Sequence, residues 1–264
     1  EGDKTGVSSL TAGMMGNGTS NISKDDFHEE IDFLGASVNI NSQSASFNTL
    51  SKYFPRILEL TAAAIQDPLL TQDEFDKQQA QMLEGIKAGE NSVDQVAGIV
   101  QSALTYGLDH PYGEFPTEET VSNVTIDDVK SLYNTYFKPN NGYLVIMGDV
   151  EFKKVKKMVT KHFGKWENEA LPEYTIPEVK NVAKTEINFV DMPNAVQSNI
   201  AVISAVQLKM GHPDYFPTRL ANYIFGGGAE GRLFLNLRED KGYTYGAYSS
   251  LGTNERTAAT LSMS

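Results

Sequence analysis

Histidine and cysteine decide first what metal or nucleophile chemistry a chain can run, and this chain is poor in both. No cysteine occurs among its 264 residues, which removes thiolate metal sites, disulfide frameworks and cysteine nucleophiles. Its 4 histidines are His28, His110, His162 and His212. No two stand at i, i+4, the spacing that sets two imidazoles on one metal from one helix face. His28 precedes Glu29 and Glu30 on an acidic helical stretch and reads as solvated surface. His110 precedes Pro111 and reads as a structural turn. Gly226-Gly227-Gly228-Ala229-Glu230-Gly231 matches G-x-G-x-x-G, yet a helical pattern precedes it where a dinucleotide site needs a strand. A helix–helix turn using positive φ is the expectation there. No G-x-S-x-G elbow supports serine hydrolysis. Three glycosylation sequons, beginning at Asn17, Asn21 and Asn123, carry hydroxyls that suit caps and turns.

The segment Gly231 to Gly246 holds the most chemistry. Arg238 falls in the last turn of a helix that Gly242 ends, and Tyr243 and Tyr245, two apart on the strand that follows, share a face. A guanidinium and a phenol brought to one sheet edge can donate to a peptide carbonyl or an oxyanion. The same residues also fit a plain structural reading, with Arg238 capping carbonyls beside Glu239 and the tyrosines packing.

Helices and strands must position these groups. Helical patterns cover Thr5 to Met15, Lys24 to Leu34, Pro55 to Ile65, Thr71 to about Ala88, Ser92 to Tyr106, Thr125 to Phe137, Phe152 to Phe163, Pro213 to Phe225 and Glu230 to Glu239. Ser23 is an N-cap with Asp25 and Asp26 in the first turn; Thr71 with Glu74, and Thr125 with Asp128, are capping-box patterns. Alternation at Ser37 to Ile40 and Ser44 to Leu50 predicts paired strands. Tyr143 to Met147 predicts a buried strand, and further strands are expected near Glu186 to Val190, Ser198 to Ser204, Tyr243 to Leu251 and Thr257 to Met263. The fold class is α+β, with an antiparallel sheet covered by helices in each of two related subdomains. Residues 1–165 form the first, 166–182 a Pro-interrupted linker and 183–264 the second. The repeat is visible as helix, Gly-rich turn, helix, glycine and strand on both sides. The chain stops at Ser264 inside the last expected strand, so the second subdomain is expected to be truncated.

A formal net charge of −12 argues against a nucleic-acid partner. No apolar run approaches the ~20 residues of a membrane span, and no signal peptide is visible at Glu1.

The Gly231 to Gly246 stretch resembles the second-half signature of the M16 (pitrilysin, insulinase and mitochondrial processing peptidase-like) zinc metallopeptidases: a Gly-rich turn, an Arg-Leu-Phe helix, a Leu-Arg-Glu end and a Gly-x-x-Tyr strand. Thr117 to Val121, Ile126 to Val129, Tyr136 to Asn140, Val145 to Val150 and Pro193 to Ile200 resemble other pieces of that family in the same order. In the family's catalytic half, an inverted His-x-x-Glu-His motif on the first helix, before a Gly-Thr, binds zinc with a glutamate from a later helix. Aligning Gly18-Thr19 puts Ser9, Ala12 and Gly13 at the His, Glu and His positions, and Gly85 at the third ligand, beside Glu84. The resemblance therefore implies a non-catalytic half or subunit, with no metal or cofactor of its own and zinc in a partner half, fused or separate. Peptide would be the substrate of the pair. Carried over by motif, Arg238 would dock substrate backbone and Tyr245 would donate to the developing oxyanion, with Tyr243 next if the register slips by two. Gly226, Gly227 and Gly228 would form a turn near the interface. Relatives of this type are often exported, which points to a bacterial envelope. Two alternatives remain: a non-proteolytic assembly or peptide-binding module of the same fold, and a free-standing metalloenzyme using another site.

Overall fold

A computed structural model describes residues 1–264. The chain divides into two compact units: Glu1 with Asp3–Ile86 and Pro116–Glu173, and Gly2 with Lys87–Phe115 and Tyr174–Ser264. Both mix helices with a small antiparallel sheet, the α+β class expected.

The first unit starts from α1 (Val7–Met14), which buries Val7, Leu10, Thr11 and Met14 and ends at Gly16, whose φ of 72° only glycine adopts at low cost. α2 (Lys24–Phe33) begins where the Ser23 hydroxyl accepts the Asp26 amide at 3.2 Å and stops at Gly35, φ 60°. β1 (Ser37–Ile40) and β2 (Ala45–Asn48) pair antiparallel, Val38 opposite Phe47. α3 (Phe54–Gln66) has Pro55 in its first turn and a buried stripe of Ile57, Leu58, Leu60 and Ala64. α4 (Gln72–Gly89) opens differently from its capping-box pattern, because the Glu74 carboxylate is taken by Lys24 and Lys77, each at 3.0 Å. Those two cations hold Glu74 below the ordinary carboxylate range. α6 (Glu118–Ser122) and α7 (Ile126–Tyr136) both carry complete capping boxes, Thr117 with Thr120 and Thr125 with Asp128. The Lys4 ammonium, 2.6 Å from Asp128, and the Thr125 hydroxyl pull that carboxyl down to about 2. α8 (Phe152–Phe163) lies on α3, with Val155 against Phe54 and Leu58, and the His162 carbonyl accepts from Gln66 Nε2 at 3.0 Å. The core around α2 and α3 is Met15, Phe27, Ile31, Ile40, Ile57, Leu60 and Ala64.

Tyr143–Met147 is not the buried strand its composition suggests. It has no ladder, and Tyr143, Val145 and Met147 stand in solvent; Ile146 alone packs inward, on Phe54, Leu58 and Val155. A strand exists only where a neighbour takes its N–H and C=O groups. Glu186 to Val190 likewise forms no ladder.

In the second unit, α5 (Val93–Tyr106) is capped by Ser92 and terminated by Gly107, φ 82°. β3 (Val202–Val206), β5 (Ala259–Met263) and β4 (Ser249–Leu251) form an antiparallel sheet in the order β3-β5-β4. On the outer edge of β3 one residue is held by a side chain: Asn181 Oδ1 accepts the Ala205 amide and Asn181 Nδ2 donates to its carbonyl, both at 2.8 Å. At Ala205 the edge is thereby blocked to another strand.

His110 stands in the turn its Pro111 neighbour suggested and is buried there, 1% exposed. Its Nδ1 accepts the Tyr112 amide at 3.0 Å, so the ring proton sits on Nε2 and meets Thr257 Oγ1 at 3.0 Å. Tyr106 stacks on the ring at 4.9 Å. Burial lowers its pKa below the ordinary imidazole value. The unfolded chain therefore takes up this proton first. The contribution is whole above about pH 6.5 and is lost as pH falls through that value toward the lower folded pKa. Melting curves at pH 7.5 and 5.5 should show a larger acid loss for wild type than for His110→Gln. Equal losses would show that the folded ring takes up its proton as readily as the unfolded chain does.

Candidate functional site

α9 (Tyr215–Phe225) ends at the Gly-rich turn, and the turn is built by close approach. The Asn222 carbonyl accepts from the Gly226 and Gly227 amides at 2.9 and 3.0 Å, while the Gly226 carbonyl accepts the Ser249 amide of β4 at 2.8 Å. Asn222 Nδ2 reaches the Ser249 carbonyl at 3.3 Å, which welds the helix end to the sheet. A Cβ on Gly226 would lie 2.8 Å from Ser249 N and 2.7 Å from Leu233 Cδ1. A Cβ on Gly231 would lie 2.8 Å from Gly226 Cα. Gly226 has φ −164° and no glycine of the run has positive φ, so the expected left-handed turn is replaced by a packing requirement.

α10 (Arg232–Phe234) then widens into a π-helical turn, Leu235–Asp240. The Lys241 amide reaches back five residues to the Asn236 carbonyl at 3.1 Å, and Gly242, φ 64°, closes the helix as expected. Such a turn adds a residue and re-aims the side chains it carries. Arg238 sits in it, half exposed, bonded through Nη1 to Glu239 Oε1, with its guanidinium 5.4 Å from the Phe234 ring centre. Phe234 in turn lies 5.5 Å from the Tyr248 ring.

The tyrosines are not placed by a strand. β4 starts only at Ser249, because the Tyr243 amide is held by the Leu237 carbonyl at 2.9 Å and Thr244 Oγ1 closes a local turn with the Gly246 carbonyl and amide. Short side-chain bonds of this kind compete with a ladder. Tyr243 is 78% and Tyr245 89% exposed. Arg238 engages Glu239 and Phe234 and neither of these phenols. The surface thus presents a guanidinium and two solvated phenols within one segment, all able to donate to an incoming carbonyl. Sequence reasoning did not find Phe234, Tyr248, Asn222 or Ser249. An aromatic four residues before Arg238 was the one available signal, since i and i+4 share a helix face.

The aligned zinc positions lie in the first unit. On α1, Ser9 is exposed, while Ala12 and Gly13 are half-buried. Gln78 of α4 lies over Gly13, its Oε1 2.5 Å from where a Cβ would stand. Gly85 on α4 faces open space, and the adjacent Glu84 is exposed. No three His, Cys, Asp or Glu side chains converge anywhere in the chain. A hydroxyl, a methyl and a hydrogen with a carboxamide pressed on them do not make a zinc donor set. The residues present do not fit the metal.

Residues 123–264 match the family model described as peptidase M16 inactive domain, and residues 1–107 match the insulinase (peptidase family M16) model. The chain is 26% identical over 261 residues to the uncharacterized zinc protease YmxG of Bacillus subtilis, covering 92% of this chain and 59% of that protein. It is 20% identical over 251 residues to the non-peptidase homolog YmxG of Helicobacter pylori, 93% of this chain and 57% of that one. A crystal structure of a peptidase M16 inactive domain from Pseudomonas fluorescens superposes with a TM-score of 0.85 at 22% identity, over 99% of this chain and 64% of that one. The chain thus spans less than two thirds of the length of each.

Proposed function

We propose, because this chain belongs to peptidase family M16, that it acts as the non-catalytic half of a two-part zinc peptidase. It is an inactive M16-like domain related to zinc proteases. In the proposed assembly a separate or fused half with an intact His-x-x-Glu-His helix holds zinc. This half closes the chamber and binds the peptide. Arg238 docks substrate backbone, Tyr245 donates to the oxyanion as the carbonyl is attacked, and the Gly226 to Gly228 turn lies near the partner.

The observation that carries the reading is the state of α1 and α4. Ala12 has no group to take a proton from water, and Gly13, under Gln78, has no room or donor for a metal. Donors without a nucleophile suit transition-state stabilisation at someone else's reacting centre. The description of one relative as a non-peptidase homolog favours a second reading, in which the chain binds peptide and no cleavage follows. The test is an internally quenched peptide assay of this chain, the candidate zinc half and their mixture. Turnover is expected from the mixture, far above the sum of the two alone. A mixture no faster than the zinc half by itself would overturn the proposal.

A further inference from the structure

We propose that the solvent face of α8 docks this protein on the surface of an anionic phospholipid bilayer. Glu151 to Lys165 carries Lys153, Lys154, Lys156, Lys157, Lys161 and Lys165 against a single acid, inside a chain of net charge −12. The inner face of α8 is committed: Val155 is buried, and Met158, Val159 and Phe163 pack toward Phe54 and Leu58. That fixes which residues look outward. At 100° per residue, Lys153, Lys156, Lys157 and Lys161 fall within an arc of about 140° opposite Val155. All four are exposed. Glu151 holds Lys154 at 2.8 Å; Lys153, Lys156 and Lys157 make no ion pair.

A second observation points to what meets this face. Phe152, at the start of the helix, is 77% exposed, and just before it Val145 and Met147 are 78% and 91% exposed. Phe152 precedes Lys153 at the first position of α8, so an exposed ring stands at the end of the helix where the lysines begin. Lysines beside an exposed aromatic ring are the composition that settles at a lipid headgroup layer, the ring at the acyl boundary and the ammonium groups among the phosphates. The face carries no arginine, whereas protein interfaces are enriched in arginine and depleted in lysine. A lipid surface also needs no register, which suits an unbroken field of one sign. No helix is long and apolar enough to cross a membrane.

The test is co-sedimentation of the chain with phosphatidylcholine vesicles, with and without about one third phosphatidylglycerol. Binding is expected only to the anionic vesicles, and a salt increase of about fivefold should release it. Each lysine near such a surface contributes roughly fivefold, so Lys153→Glu/Lys156→Glu/Lys157→Glu should lower binding more than about 100-fold. Phe152→Ser should lower it about tenfold. Melting temperatures near wild type for these exposed substitutions separate lost docking from lost fold, and the triple Lys→Gln variant should bind with intermediate strength. Equal binding to neutral and anionic vesicles, or an unaffected charge-reversal variant, overturns the proposal. So does a salt-sensitive oligomer without lipid that the lysine variants abolish, since the face would then be a protein interface. Peptide turnover with the zinc half does not enter this readout, so each proposal can fail without the other.

Discussion

Arg238→Ala is expected to lower kcat/KM of the reconstituted peptidase by about 100-fold, while leaving the melting temperature of the chain nearly unchanged. The side chain is half exposed, and its ion pair with Glu239 joins neighbours on the surface. Such pairs contribute at most about 1 kcal/mol, so substrate can draw the guanidinium away at little cost. Surface substitutions away from the core change stability by about 0.5 kcal/mol or less. A charge-assisted hydrogen bond from the guanidinium to the docked peptide is worth more, about 1.5–3 kcal/mol or roughly 10- to 150-fold in kcat/KM. Tyr245→Phe removes one hydroxyl from an 89% exposed ring and should lower kcat with KM little changed, the mark of a contact made in the transition state. Arg238 binds substrate backbone in the ground state as well, so its loss should raise KM too. Wild-type kinetics in both variants would remove them from the proposed function. If Tyr243→Phe alone lowers kcat, the register is displaced by two residues.

Phe27→Ala should produce the largest loss of stability, about 3–5 kcal/mol. Phe27 is fully buried at 0% exposure, enclosed by Met15, Ile31, Ile40, Ile57, Leu60 and Ala64. The space it leaves is walled by helices and the β1–β2 hairpin, which cannot all close in, so lost transfer energy and an unfilled cavity add. That is a large share of the roughly 5–15 kcal/mol that holds a domain together. Thermal unfolding of the first unit should shift down by about 10 °C, followed as its own transition because two units need not melt together. Phe27→Leu fills most of the space and should recover more than half of the shift. A shift of only a degree or two for Phe27→Ala would mean that the walls do collapse.

Local signals read correctly where the physics is local. Ser23 caps the α2 amides because its hydroxyl lies three residues from them, and Gly35 stops the helix because only glycine takes its positive φ at little cost. Thr125 and Asp128 close their box for the same reason. The amphipathic stripes of α3 and α8 follow from spacing alone. Glu74 shows where such reasoning stops: its box partner was local, but Lys24, fifty residues away, took the carboxylate.

What this sequence determined by itself was the α+β class, the position of most of the long helices and the absence of metal-binding groups at positions 9, 12 and 13, since side-chain identity and short-range spacing are sufficient for each. Only the tertiary structure decided that Gln78 covers Gly13, that Gly226 and Gly231 must be small to let Ser249 approach, that Arg238 rides on a π-turn with Phe234, and that Tyr143 to Met147 has no strand partner. Each depends on which distant backbone comes alongside, and hydrogen bonds or van der Waals contacts between residues far apart in the chain leave no trace in local composition.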